Sequence, residues 1–261
     1  MTGHDAEAET SAAISAETSA DPRPGTRAAR PAAPDPALTL TAGALLMLAT
    51  GAVDAYVFLQ HGHVFAEAMT GNLVLIAIGA VAPEVIAFWL PLVTYLAFAA
   101  GVAAAWVLSR SATEVTRTRR ERTLQLLTLL LQVAVLTAVG FLPPTFPQPA
   151  VTCTVAFVSG MQIAGFRQVG DSAFTTTVMT SNSVRMINAT LAALTGREAG
   201  RWRVPRSLLV PFAGFVAGVF VGAFSSAGLG DRAAWVCAAL MLLVLLVHHR
   251  PRRVRSAVPA G

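Results

Sequence analysis

Long apolar stretches alternate with short polar and arginine-bearing segments along most of this chain. The apolar stretches lie at 38–59, 64–82, 85–108, 124–142, 150–166, 172–194, 208–228 and 233–249. A helix needs about 20 apolar residues to cross about 30 Å of hydrocarbon, and most of these stretches approach that length. The pattern predicts an all-α integral membrane protein, a helical bundle without a soluble globular domain.

Composition supports this prediction and excludes one class of protein. Of the 261 residues, 54% are hydrophobic and 13% are charged, whereas a soluble domain carries about 25% charged residues. Every basic residue is an arginine, and the arginines cluster between apolar stretches. A nucleic-acid-binding protein would place them on a solvated face. We therefore expect the lipid bilayer as a partner and no nucleic acid.

The two ends of the chain differ in character from the apolar region. Residues 1–37 are rich in Ala, Ser, Thr, Pro and acidic residues, so we expect a disordered polar tail. The tail lacks the basic start and apolar core of a secretory signal. The membrane region divides into a first repeat at 38–142 and a second at 143–249, and a basic tail follows at 250–261.

The arginine clusters predict how the chain crosses the membrane. They lie at 23–30, 110–122, 197–206 and 250–255. Such clusters favour the cytoplasmic side, but eight full spans would place 110–122 opposite the other three. The conflict disappears if 38–82 and 150–194 each make one net crossing, with one broken or re-entrant segment in each. The six-crossing hypothesis places both termini in the cytoplasm at a bacterial inner (plasma) membrane. The alternative is seven or eight ordinary spans with one loop that violates the rule.

An internal repeat supports the six-crossing hypothesis. Met69-Thr70-Gly71-Asn72 and Met179-Thr180-Ser181-Asn182 lie 110 positions apart. Each block is followed by a helix with small residues every four positions, which lets helix backbones approach closely in lipid. These residues are Ala97, Gly101 and Ala105 in the first half, and Gly214, Gly218 and Gly222 in the second. Since each half makes three crossings, the second half must be inverted. We also expect the second stripe to offer a surface for a homo-oligomer.

At these motifs the chain resembles the YoaK family of bacterial membrane proteins, a domain of unknown function. The resemblance covers about 40–249. It rests on Gly51-x-x-Asp54, Phe65 and Met69-Thr70-Gly71-Asn72, and on Gly160-Met161-Gln162, Phe166-Arg167 and Thr176-Thr177-Val178-Met179-Thr180. Ser181 replaces the glycine expected from the resemblance, and Glu67 lies in a stretch expected to be less acidic. The resemblance implies a multi-span inner-membrane protein and supplies no established reaction.

The Thr-x-Asn blocks suggest a binding site. Threonine, glycine and asparagine are poor helix-interior residues, and a half-helix beginning near residue 70 would leave free N–H groups. Many secondary transporters build a midplane site from inverted repeats with broken helices. We therefore expect a substrate site lined by Asp54, Thr70, Gly71, Asn72, Gln162, Thr180 and Asn182. The alternative is that these groups satisfy only helix–helix hydrogen bonds.

Two charged residues within the apolar stretches form a candidate ion pair. A charge at membrane depth costs about 2.5–3.5 kcal/mol on insertion scales, so it is normally paired or functional. Asp54 lies late in the first stretch and Arg185 lies within 172–194, and we expect them to approach each other. The alternative is that Asp54 is hydrated at the membrane edge.

These patterns favour a secondary transporter or permeability protein for an unidentified small solute. The alternatives are a non-transporting membrane scaffold or partner subunit and, less favoured, an intramembrane enzyme using His61 and His63 near Asp54 and Glu67. We expect no catalytic residue and no cofactor. We also expect no metal, because Cys153 and Cys237 lie in apolar stretches without a metal-binding spacing.

Overall fold

The computed structural model describes residues 40–110, 114–166, 179–195 and 203–249, and at 114–119, 179–182, 193 and 203–205 it describes the backbone alone. All regular secondary structure in these ranges is helical, so the predicted all-α class is confirmed. The helices are α1 Leu40–Gln60, α2 Met69–Val81, α3 Trp89–Arg110, α4 Glu114–Val139, α5 Gln148–Gly165, α6 Met179–Leu194, α7 Arg203–Leu229 and α8 Ala234–His249, with a 3-10 turn at Gly230–Ala233. The predicted tails at 1–37 and 250–261 lie outside the described residues.

The helices have the length and apolar character of a membrane bundle. Four segments of the described ranges are long and apolar enough to cross a bilayer: Leu40–Gln60, Trp89–Arg110, Arg120–Val139 and Arg206–His249. The last is 44 residues long and contains both α7 and α8. The protein is therefore an all-α membrane helical bundle, as its sequence predicts.

Each of the two ambiguous sequence pairs contains a longer and a shorter helix. In the first pair α1 has 21 residues and α2 has 13. In the second pair α5 has 18 residues and α6 has 16. At 1.5 Å per residue α2 is about 20 Å long and α6 about 24 Å, both short of about 30 Å of hydrocarbon. The length of α2 fits a segment that does not cross fully, whereas α6 has the same 16 residues as α8, which the six-crossing hypothesis counts as a crossing. The number of crossings stays a prediction.

Two helix crossings bring backbones into direct contact. A Cβ atom added to Gly51 of α1 would collide with the carbonyl oxygen of Phe215 on α7. A Cβ atom added to Gly160 of α5 would collide with the carbonyl oxygen of Phe98 on α3. Only glycine permits such an approach, because its α-carbon carries no side chain. The crossings α1–α7 and α3–α5 are therefore fixed by glycine.

The packing partners correspond when the two halves of the chain are exchanged. Helix α1 packs on α7 as α5 packs on α3, and α1 packs on α8 as α5 packs on α4. The short helices follow the same rule, since α2 packs on α3 and α6 on α7, while α4 and α8 pack on each other. Each half thus places its first helix against the last two helices of the other half.

The second glycine stripe is used within the chain. Gly214, Gly218 and Gly222 lie against the backbone of α1 at Ala44, Leu48 and Ala52. The sequence correctly predicts close helix approach at these glycines, but this surface is already covered by α1. A homo-oligomer built through the stripe would have to displace α1. The homo-oligomer expected through Gly214, Gly218 and Gly222 stays a prediction.

Candidate functional site

Buried polar side chains converge where the connection between α1 and α2 meets α5. Glu67, in this connection, is only 3% exposed. The Ser159 hydroxyl of α5 donates to Glu67 Oε1 at 3.3 Å, and Gln132 Nε2 of α4 donates to Ser159 Oγ at 3.2 Å. We call Thr50, Asp54, Glu67, Gln132, Ser159 and Gln162 the central polar cluster. Its hydrogen bonds join the first half of the chain to the first helix of the second half.

The Glu67 carboxyl has one oxygen without a partner. Glu67 Oε2 is buried and accepts no hydrogen bond. The Thr50 hydroxyl of α1 lies beside the same carboxyl, but outside the geometry of a full hydrogen bond, because Thr50 Oγ1 is also buried without a partner. Thr50 and Ser159 directly precede the crossing glycines Gly51 and Gly160. The carboxyl thus lies beside hydroxyls at equivalent places in the two halves.

Asp54 holds the start of α2 in place. Its side chain is 4% exposed, and Asp54 Oδ1 accepts the backbone N–H of Glu67 at 2.8 Å. The neighbouring N–H groups of Ala66 and Ala68 also interact with this carboxylate. A carboxylate at this place stabilises a helix N-terminus through its free N–H groups. Asp54 therefore contacts backbone at the point where sequence reasoning places a substrate.

The start of α2 is also satisfied by its own backbone. The Met69 N–H donates to the Glu67 carbonyl oxygen, and the Gly71 and Asn72 N–H groups donate to the Ala68 carbonyl oxygen. The expected open row of N–H groups facing a cavity is therefore wrong for these positions. The short helix begins near residue 70 as predicted, but local carbonyls take up its first donors.

Asn72 and Gly71 position the connection that carries Glu67. Asn72 is fully buried. Its side-chain oxygen accepts the Phe65 N–H at 2.9 Å, and its nitrogen donates to the Phe65 carbonyl oxygen at 2.7 Å. Gly71 lies under the Phe65 ring, where an added Cβ would be 2.7 Å from Cδ2. Thr70, by contrast, is exposed. The block Met69-Thr70-Gly71-Asn72 thus holds Phe65 in place through Asn72 and Gly71.

Gln162 is the predicted site residue with the most unmet hydrogen-bonding capacity. It is 1% exposed, and both its Oε1 and its Nε2 are buried without a partner. It lies one turn beyond Ser159, and residues three apart lie on the same helix face. A buried polar group without a partner costs about 1–3 kcal/mol. Gln162 therefore has the character expected of a group that binds something.

The remaining predicted site residues lie on α6. Thr180 and Asn182 fall in its first turn, and their side chains lie outside the described residues. Arg185 is exposed on α6, whereas Asp54 is buried against the α1–α2 connection. The Asp54–Arg185 ion pair stays a prediction.

A second polar group lies in the turn after α1. The Tyr56 hydroxyl forms a hydrogen bond with His61 Nε2 at 2.7 Å and donates to the Asp231 carbonyl oxygen at 3.2 Å. His61 borders a cavity of about 20 Å³ that Gln148 also lines, which is room for about one water molecule. Burial lowers the pKa of His61 below its ordinary value of 6.5. Within the described ranges, no three His, Cys, Asp or Glu side chains group as metal ligands would.

Sequence reasoning misses Thr50, Gln132 and Ser159, and it names Glu67 only within the enzyme alternative and not in the substrate site. Two signals could find part of the set. Glu67 is an acidic residue inside an apolar stretch, and such residues are functional candidates by default. Thr50-Gly51 and Ser159-Gly160 are hydroxyl–glycine pairs in equivalent helices. No sequence pattern marks Gln132.

Comparison with known proteins places most of the chain in one family. The model of a family described as "Protein of unknown function (DUF1275)" matches residues 42–247. The match includes α1 to α8 apart from the outermost residues of α1 and α8. No curated protein and no solved structure matches the chain. The finding agrees with the expected domain of unknown function, and the name YoaK is not part of it.

Proposed function

Because the chain belongs to the DUF1275 family and forms a membrane helical bundle, we propose that it moves a small solute across the bacterial inner membrane. The observation that carries this proposal is the unmet hydrogen-bonding capacity of the central polar cluster. Gln162 has two buried polar atoms without a partner, and Glu67, Gln132 and Thr50 each have one. A polar solute or water would satisfy these atoms.

The energetics of the bilayer favour a binding role for this cluster. Polar groups within membrane helices are costly and usually mark pathways or sites. Side chains that only join helices use their donors and acceptors in pairs, as Thr94 of α3 does with Thr152 of α5. The Gln162 amide forms no such pair. A role limited to helix packing leaves its burial unexplained.

The arrangement of the two halves supports alternating access. We propose that the halves are inverted relative to each other, with six net crossings and both termini in the cytoplasm. The exchange of packing partners between the halves and the arginine distribution support this arrangement. In transporters built from inverted repeats, one group of helices rocks against another around a central site. Here α1 with α7 would move against α3 with α5, around the contact between Glu67 and Ser159.

A non-transporting scaffold or partner subunit is the second candidate. The observation that favours it is that Asp54 and Asn72 bind backbone atoms of the α1–α2 connection. A scaffold would need these two residues for folding and would not need Gln162. The two candidates therefore differ in what they predict for Gln162.

The test is osmotic shrinkage of liposomes containing the purified full-length protein. Stopped-flow light scattering would follow the entry of small polyols, amides, amino acids and short carboxylic acids. Protein-free liposomes are one control, and Thr154→Val, on the exposed face of α5, is the matched variant. We expect at least one solute to enter faster with the wild-type protein. We also expect Gln162→Leu to slow that entry about tenfold, a loss of about 1.4 kcal/mol. Entry rates equal to those of protein-free liposomes for every solute would overturn the proposal.

A further inference from the structure

The central polar cluster contains two buried carboxyl groups. Asp54 and Glu67 act on each other electrostatically, and the N–H of Glu67 is bound by the Asp54 side chain. Among the arginines whose side chains the structure describes, none is buried. Burying one ionised carboxylate is unfavourable, and a second charge close by makes it more so. Binding of one proton by the pair is therefore favoured, because it removes one of the two buried charges.

The hydrogen bonds indicate which carboxyl holds that proton. Asp54 receives backbone N–H groups, which stabilise its ionised form. Among the described residues, Glu67 accepts the Ser159 hydroxyl at Oε1, and Glu67 Oε2 and Thr50 Oγ1 are buried without a partner. A proton on Glu67 would remove the second negative charge from beside Asp54.

We propose that the Glu67 carboxyl, held between Thr50 and Ser159, binds the proton that is coupled to solute movement. The coupling rests on the proposed transport function, whereas proton binding is a property of the folded protein alone. Of the residues that the structure describes, those that face Glu67 are Thr50 and Asp54 from α1, Ser159 from α5 and, through Ser159, Gln132 from α4. Among these groups only Asp54 is titratable.

Loss of the proton has a defined structural consequence. The O–H bond of Glu67 breaks, the proton passes to water on one side of the membrane, and the carboxylate remains beside Asp54. Repulsion from Asp54 then favours separation of Glu67 from α1 and its hydration. Return of a proton from the other side restores the closed arrangement. Protonation thus decides whether the contact between the two halves is closed.

Infrared spectroscopy of the purified full-length protein tests proton binding. We expect the carbonyl stretching band of a protonated carboxylic acid at neutral pH, with loss of that band in Glu67→Gln. The matched control is Glu84→Gln, because Glu84 is exposed in the connection between α2 and α3, and we expect it to retain the band. Ser159→Ala should shift the band, since Ser159 donates to Oε1, and this variant serves if Glu67→Gln fails to fold. No band in the wild-type protein, or a band that neither variant changes, would overturn the proposal.

Coupling is tested in liposomes with a solute that enters in the shrinkage assay. For one proton per neutral solute, a gradient of one pH unit should drive about tenfold accumulation, and Glu67→Gln, which cannot release a proton, should abolish accumulation. Entry that ignores the pH gradient would overturn the coupling. Accumulation driven by a sodium gradient, and lost in Glu67→Gln, would overturn the assignment to a proton. If no solute enters but the band is lost in Glu67→Gln, proton binding is supported and the transport function fails.

Discussion

Helices α1 and α5 cross their partners in the same way, but they bring different chemistry to the centre of the molecule. Each carries a hydroxyl residue followed by a crossing glycine, Thr50-Gly51 on α1 and Ser159-Gly160 on α5. Four residues after the hydroxyl, α1 carries Asp54, whereas α5 carries Ile163. The helix packing is therefore equivalent in the two halves, but the carboxyl groups of the central polar cluster come from the first half alone.

This difference between α1 and α5 distinguishes the residues that fix the helix crossings from the residues that form the central polar cluster. Glycine is required at both crossings, because both bring carbonyl oxygens against the α-carbon. A carboxylate is needed only beside α1, because Asp54 binds the connection that leads into α2. Substitutions at the two helices should therefore have equal effects at the glycines and unequal effects one turn later.

The largest expected effect is at the crossing glycines. We expect Gly51→Ala and Gly160→Ala each to destabilise the protein by about 2–3 kcal/mol, because the added methyl group collides with backbone. Gly228→Ala on α7 is the control, since no atom lies within 4 Å of its added Cβ. Thermal unfolding of the purified variants would measure the losses. A large loss in only one of the two variants would show that the crossings are not equivalent.

The next effect is at the position where the helices differ. Asp54→Ala removes the acceptor for the N–H groups before α2, and we expect it to cost about 2 kcal/mol. Asp54→Asn keeps an acceptor and should cost about half as much. Ile163→Val, the matched change on α5, should cost about 1 kcal/mol. Equal destabilisation by the alanine and asparagine variants would argue that charge, and not backbone binding, is the role of Asp54.

A somewhat smaller effect is expected at Asn72, which holds Phe65 in place. Asn72→Ala removes two hydrogen bonds to backbone and should cost about 1–2 kcal/mol, whereas the exposed Thr70→Ala should change stability by less than about 0.5 kcal/mol. Thermal unfolding with and without a transported solute measures both roles. Loss of the solute-induced stabilisation in Asn72→Ala would contradict a purely positioning role and return Asn72 to the site.

The smallest effect concerns the turn after α1. The pKa of His61 is lowered by burial, so the unfolded chain binds a proton more readily than the folded protein. The contribution of His61 to stability is therefore complete above pH 6.5, the ordinary pKa, and it is lost as the pH falls through and below that value. The melting temperature of the wild-type protein should fall over this range more steeply than that of His61→Gln. Parallel curves would be evidence against a buried neutral His61.

The helices and their close-packing faces were more predictable than the central polar cluster, because the spacing of apolar and small residues along the chain encodes them. Spacing by four reveals the stripe of Gly214, Gly218 and Gly222, and apolar length reveals a full and a short helix at 38–82. The same spacing does not say which helix covers the stripe, so a second chain was expected where α1 lies. The spacing of small residues shows which face of a helix allows close approach. Which helix packs against that face depends on the whole fold.

The site was only partly predictable because side-chain-to-backbone bonds create it. Asp54 and Gln162 are visible as polar residues in apolar surroundings. Glu67 reaches Ser159 because Asp54 and Asn72 fold the α1–α2 connection back into the bundle. Bonds of this kind follow no helical or strand period. The sequence therefore shows that a polar centre exists and leaves its membership to the three-dimensional structure.

The two hydrogen bonds between Asn72 and the Phe65 backbone connect α2 to the segment that carries Glu67. Asn72 belongs to α2, and Phe65 lies two residues before Glu67, so a displacement of α2 is transmitted to that carboxyl. Helix α2 is shorter than the hydrocarbon layer and presents Leu73, Val74 and Ile78 outward, and a short helix responds to changes in bilayer thickness. We therefore expect a change in bilayer thickness to displace α2 and, through Asn72 and Phe65, the Glu67 carboxyl.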